Sequence, residues 1–197
     1  MKRTLIVLAL LCVSVLVLYS AQVTVQGQGQ GNGQGNGGSS EVQAGRRAVP
    51  PEITLHLGGK NPSRVYEGSY YVNGVSDCIG CHNGPDTDES GNAIPLAERY
   101  LAGGQNFGPV LSRNLTPDAS GRPAGLTFEQ FVQVIRQGRD FKELPPIVGN
   151  PDTLIVMPWP SYRYGTERWL RAVYEYLNAV PCVPGGPLEN AATRCDE

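Results

Sequence analysis

Hydrophobic and polar positions divide this chain into stretches of different character. Residues 4–20, "TLIVLALLCVSVLVLYS", are an apolar run behind Lys2 and Arg3. Residues 26–40, "QGQGQGNGQGNGGSS", hold no apolar side chain at all. Further on, three segments have helical character. "SRVYEGSYYV" at 63–72 predicts a first helix. "TFEQFVQVIRQG" at 127–138 predicts a second: Thr127 and Gln130 make a capping box, Phe128, Phe131, Val132 and Ile135 share a face, and Gly138 closes it. "TERWLRAVYEYLNAV" at 166–180 predicts a third, with Leu170, Val173, Tyr174 and Leu177 on one stripe and Pro181 ending it. Between residues 83 and 125 Gly and Pro recur without a period. So long an irregular stretch is rare in a compact domain unless something besides the chain organises it.

Composition agrees with this picture. The chain has 197 residues, 25 of them Gly and 16 Pro, so a few helices must carry the core. A formal net charge of −2 with scattered Lys and Arg lacks the basic patch of a nucleic-acid partner. The apolar run has the n-region and h-region of an export signal. It also offers residues 5–25 as a membrane tether, about 20 residues being enough for one span. Residues 1–25 therefore read as a signal peptide or an N-terminal anchor, with Cys12 an apolar filler in it. Residues 26–48 read as a Gly/Gln-rich flexible linker. Residues 49–197 are the folded domain, exported and periplasmic, either soluble or anchored.

Export raises the interest of the cysteines. In "DCIGCHNG", Cys78, Cys81 and His82 form C-x-x-C-H, the attachment signature of c-type haem. Two thiols on one helical turn can form thioethers to both vinyl groups of one porphyrin, and the next side chain lies under the iron. A thioredoxin-like dithiol wants a βαβ setting, and its flanks here lack one. A zinc site needs further ligands nearby, and His56 is the chain's other histidine. A sixth ligand is offered by Met157 in "LIVMPWPSY", held between Pro158 and the residues before it; His56 is the rival. Trp159, Arg113 and Arg136 are candidate partners for the haem propionates.

Taken together, "CIGCH", "LAGG", "RNLTPD", "GLTFEQF", "MPW" and "LRAVYEYLNAVP" occur in the order seen in mono-haem class I-type cytochromes c. Over residues 62–184 the chain resembles the cytochrome c domains associated with bacterial periplasmic alcohol and aldehyde dehydrogenases. The resemblance implies a mainly α, class I cytochrome c fold, with three main helices and long loops wrapped around one covalent haem. It implies covalent attachment at Cys78 and Cys81 and axial ligation by His82 and Met157. It also implies that Gly68 and Tyr71 of the first helix meet Tyr174 and Leu177 of the last. The function it implies is one-electron transfer by a low-spin His/Met haem c, with a periplasmic dehydrogenase or a respiratory oxidase as redox partner. The alternative is a haem enzyme or ligand sensor, peroxidase-like, with a labile sixth ligand. A second C-x-x-C-H, common in dehydrogenase-linked relatives, is absent from the sequence. Cys182 and Cys195 enclose a Gly/Pro-rich tail and are expected to form a disulfide outside the cytoplasm.

Overall fold

The computed structural model describes residues 39–108, 110–141, 153–184, 195 and 196. These lie in Gly37–Glu197, one of two units into which the chain divides. The expected signal or anchor, Cys12 and most of the expected linker lie outside the described residues. Among those described, no helix is long and apolar enough to cross a membrane.

The linker boundary needs a correction. Residues expected to be flexible up to 48 include helix α1, Ser40–Ala48. Its first turn carries Glu41 and its last Arg46 and Arg47, complementing the helix dipole. Its buried face is only Val42 and Gly45. A nine-residue helix with so small an apolar face is held by docking rather than by propensity. A Cβ added at Gly45 would come within 2.7 Å of the Tyr66 carbonyl carbon. The Arg46 guanidinium lies 4.1 Å from the centre of the Tyr66 ring.

Helix α2 spans Pro62–Tyr70, with Pro62 in its first turn and the Asn61 side chain accepting from the amides of Ser63 and Arg64. It passes directly into a π-turn, Tyr71–Val75, which leads to the short helix α3, Cys78–His82. Another short helix, α4, covers Leu96–Arg99. Helix α5 covers Phe128–Gln137, with both bonds of the Thr127–Gln130 capping box made and Gly138 left-handed at φ 69°. A single turn, α6, covers Trp159–Tyr162. The last helix, α7, runs Glu167–Ala179 behind the Thr166 cap. The described residues contain helices and isolated bridges but no strand. The described residues are thus mainly α, and besides α2, α5 and α7 they include α1, α3, α4 and α6.

The core forms where α2 crosses α7. Val65, Val72, Leu170, Val173, Tyr176 and Leu177 are buried there, together with Tyr100 and Leu101 from the end of α4. The crossing differs in detail from the implied contacts. A Cβ added at Gly68 would strike the Ala172 carbonyl and lie 2.6 Å from the Tyr176 Cβ, so Gly68 meets Ala172 and Tyr176. Tyr71 meets Trp169 edge-on, ring centres 6.1 Å apart. Tyr174 turns instead to Phe128 and Phe131 of α5, at 5.4 and 5.6 Å. The reason is helical phase: Ala172 and Tyr176 are four apart on one face, and Tyr174 falls on the opposite one. A buried polar network pins the crossing, with the Tyr100 and Tyr176 hydroxyls 2.6 Å apart. The Asn73 side-chain amide donates to Tyr176 Oη at 3.0 Å and to Ser69 Oγ at 2.9 Å.

The irregular stretch after α3 is ordered by short side chains rather than by periodicity. The Asp88 carboxylate accepts from the amides of Ser90 and Asn92. The Asp118 carboxylate accepts from the Arg122 amide and the Ser120 hydroxyl. Each closes a small reversal, Thr87 opposite Ala93 and Pro117 opposite Pro123. At the far end Cys182 and Cys195 are disulfide-bonded, Cα atoms 5.8 Å apart, as expected. A loop of that length contributes about 3 kcal/mol in the chain-entropy account.

Candidate functional site

The turn that precedes α3 sets up the site. Asp77 is left-handed at φ 44°, and from it the chain makes one turn of helix, Cys78–His82. That turn puts both cysteines and the histidine along one wall of an apolar cleft. Cys78, Cys81 and His82 line it on this side, and Ile155, Val156 and Met157 line it with them. Phe131 and Ile135 of α5 and Val173 and Leu177 of α7 complete its floor. The cleft has a volume of about 190 Å³.

His82 is tightly positioned. Its Nδ1 lies 2.7 Å from the Arg113 carbonyl oxygen, and a carbonyl can only accept, so Nδ1 carries the proton. The lone pair is then on Nε2, available to a metal. Burial pushes the imidazole below its ordinary pKa of 6.5, opposed by the bond to Arg113. The neutral, ligating form therefore persists to lower pH than in a free histidine. Backbone bonds brace the same place, the Gly103 amide donating to the His82 carbonyl at 2.7 Å.

The Cys78 thiol has the character of a structural group. Burial, then the Asp77 carboxylate, pushes Cys78 up to about 12. A redox dithiol needs the opposite, a thiolate stabilised near neutral pH. Among the described residues, no group of three or more His, Cys, Asp or Glu is placed to hold a metal ion.

The Met157 segment is clamped to the end of α5. The Leu154 amide donates to the Gly138 carbonyl at 2.7 Å, and the Trp159 amide to the Met157 carbonyl at 2.8 Å. The Trp159 indole N–H donates to the Leu154 carbonyl at 3.1 Å. Gly138 is required twice over, by its left-handed φ and by the indole: an added Cβ would lie 2.7 Å from Trp159 Cδ2. Gly138→Ala is therefore expected to cost about 1–2 kcal/mol from backbone strain alone and to displace Trp159. Chemical denaturation with tryptophan fluorescence checks both; an unchanged emission and midpoint would remove the clamp.

Four expected residues, Cys78, Cys81, His82 and Met157, thus share one cleft. The rival ligand His56 does not line it; it is exposed, and its amide donates to the Ala179 carbonyl. Of the three propionate candidates, Arg113 lines the cleft while Trp159 and Arg136 do not. Sequence reasoning missed Asp140, which pairs with Arg113 at 2.8 Å. It also missed Tyr162, whose hydroxyl donates to the Ser76 carbonyl at 2.8 Å at the edge of the cleft. Tyr162 had a signal, its place in "MPWPSY"; Asp140 had none.

No protein-family model matches the chain, and no solved structure matches it. Curated proteins do. The gluconate 2-dehydrogenase cytochrome c subunit of Pantoea cypripedii is 26% identical over 118 residues, 59% of this chain and 23% of that protein. The cytochrome c subunits of quinone alcohol dehydrogenase from Gluconacetobacter polyoxogenes and Komagataeibacter europaeus are each 28% identical over 121 residues, 58% of this chain and 22% of theirs. The chain spans less than a quarter of the length of these relatives. Over rather more than half of its own length, then, this chain is similar to cytochrome c subunits of bacterial dehydrogenases.

Proposed function

We propose that this chain is a one-electron carrier that binds a single haem c in the apolar cleft. The observation that supports it most is the meeting of two distant segments on that cleft: the C-x-x-C-H turn and the Met157 loop. The donor set fits the group. Cys78 and Cys81 would form the thioethers, His82 Nε2 the proximal bond and the Met157 thioether the distal one. Bound there, haem c supplies a one-electron Fe(III)/Fe(II) couple.

The chain's own residues do the rest. The Arg113 carbonyl holds the His82 ring in its ligating tautomer. The apolar floor excludes water and so disfavours the ferric, more highly charged state. With both axial positions filled from the protein there is no open position for a substrate, which makes the role electron transfer rather than catalysis.

The names of the relatives favour a dehydrogenase as the electron donor, and a respiratory oxidase fits the downstream end. The export features of residues 1–25 favour a role outside the cytoplasm.

Attachment is directly testable. The exported wild-type chain should keep its haem through acidified organic solvent, and Cys78→Ser with Cys81→Ser should release all of it. Haem retained by the double variant would sink covalent attachment at these cysteines.

A further inference from the structure

Arg113 carries a feature the ligand set does not use. Its side chain is only 15% exposed and lines the cleft. Nη2 donates to both carboxylate oxygens of Asp140, at 3.1 and 2.8 Å. Asp140 is itself buried, its side chain 7% exposed, and lines the cleft too. The other guanidinium nitrogen, Nη1, is buried without a hydrogen-bond partner.

A buried donor without an acceptor is costly, and a guanidinium nitrogen more than most. Among the described residues, the other charged side chains on the cleft are Asp77 and Arg139. Arg139 is exposed, bonded to Gln133 and seated over the Phe141 ring. The Arg113 guanidinium therefore has one nitrogen bonded to Asp140 and one buried without an acceptor.

We propose that Arg113 and Asp140 form the carboxylate-binding subsite of the cleft. Nη1 of Arg113 receives a propionate of the haem, and Asp140 holds the guanidinium in place from its other side. The proposal rests on the haem reading and adds to it a residue with two separate jobs. Through its backbone, Arg113 orients His82; through its side chain, it would hold the acidic margin of the same group. A guanidinium suits this because its planar fork serves two carboxylates at once, which an ammonium cannot do with the same geometry. Substitution changes the side chain and leaves the carbonyl bonded to His82, so the two jobs can be tested apart.

Charge gives the test its sign. A cation close to the iron favours the ferrous state and an anion the ferric. Arg113→Gln should lower the reduction potential, with about a tenfold change in the ferric-to-ferrous ratio, or 59 mV for one electron. Asp140→Asn should shift it upward by a comparable factor. Arg113→Lys keeps the charge and should recover most of the Arg113→Gln loss.

Spectroelectrochemical titration of the holoproteins reads all three, and the α-band checks that each stays low-spin. Opposite shifts with lysine rescue support the subsite. Shifts of one sign, or none, overturn it, because mere structural damage has no reason to reverse with charge. If Arg113→Gln fails to retain haem, Asp140→Asn decides alone: an upward shift supports, anything else overturns. A wild-type protein without a c-type α-band would refute the haem reading itself, a different failure from haem present but potentials unmoved.

Discussion

Gly68→Ala should cost about 3 kcal/mol, at the upper end of what overpacking does. The added methyl group would meet not a side chain that can rotate away but the Ala172 carbonyl of α7, with the Tyr176 Cβ 2.6 Å off. Neither can yield without separating the helices. Separation would in turn open the network in which Asn73 bonds Ser69 and Tyr176, and Tyr100 bonds Tyr176. Ser69, Tyr100 and Tyr176 are buried, so the loss of their bonds adds to the steric cost rather than replacing it. For a domain with 5–15 kcal/mol in total, that is a large share. Gly74→Ala is the control, since a Cβ there meets nothing within 4 Å, and it should stay within about 0.5 kcal/mol. Urea denaturation of both holoproteins is the measurement. Equal midpoints for the two variants would mean the crossing is looser than the backbone contact at Gly68 implies.

How much of this fold could be read from residues depends on whether its causes are local. Helix α5 could be read completely, because the Thr127–Gln130 box, the Phe131 and Ile135 face and the Gly138 stop all act within the helix. Helix α1 could not, because Val42 and Gly45 make an apolar face only when α2 lies against it. The first expected helix was placed at 63–72, whereas α2 ends at Tyr70 and continues as a π-turn. The π-turn carries Asn73 to the two tyrosines, a tertiary contact with no sequence period. The resemblance implies Tyr174 at the crossing with α2, but helical phase turns it to Phe128 and Phe131 of α5. The site follows the same division. Cys78, Cys81 and His82 sit within one turn, and Met157 stands out between apolar residues and Pro158. Arg113 is one of three propionate candidates in the sequence, and only its carbonyl on His82 and its place on the cleft single it out.

Met157 decides between a closed electron carrier and an open-site haem protein, so its substitution should have the largest functional effect. A thioether on iron stabilises the ferrous state, and axial ligands as a class span about 0.8 V. Met157→Ala should lower the potential, become wholly or partly high-spin, and bind added imidazole or cyanide readily. The loop itself should survive the change. Its register is set by Leu154 on Gly138 and by the Trp159 indole on Leu154, none of which involves the Met157 side chain. Loss of ligation without loss of the loop is what makes the spectrum interpretable. Met157→His should remain low-spin at a lower potential, because imidazole favours ferric iron more than a thioether does. His56→Ala should leave spectrum and potential unchanged, as expected of an exposed side chain that does not line the cleft. Should His56→Ala open the iron while Met157→Ala leaves it closed, the ligation is bis-histidine, and the electron would then be carried at a lower potential to different partners. A wild-type protein already high-spin would instead favour the peroxidase-like or sensor alternative, since an open sixth position is what that chemistry requires.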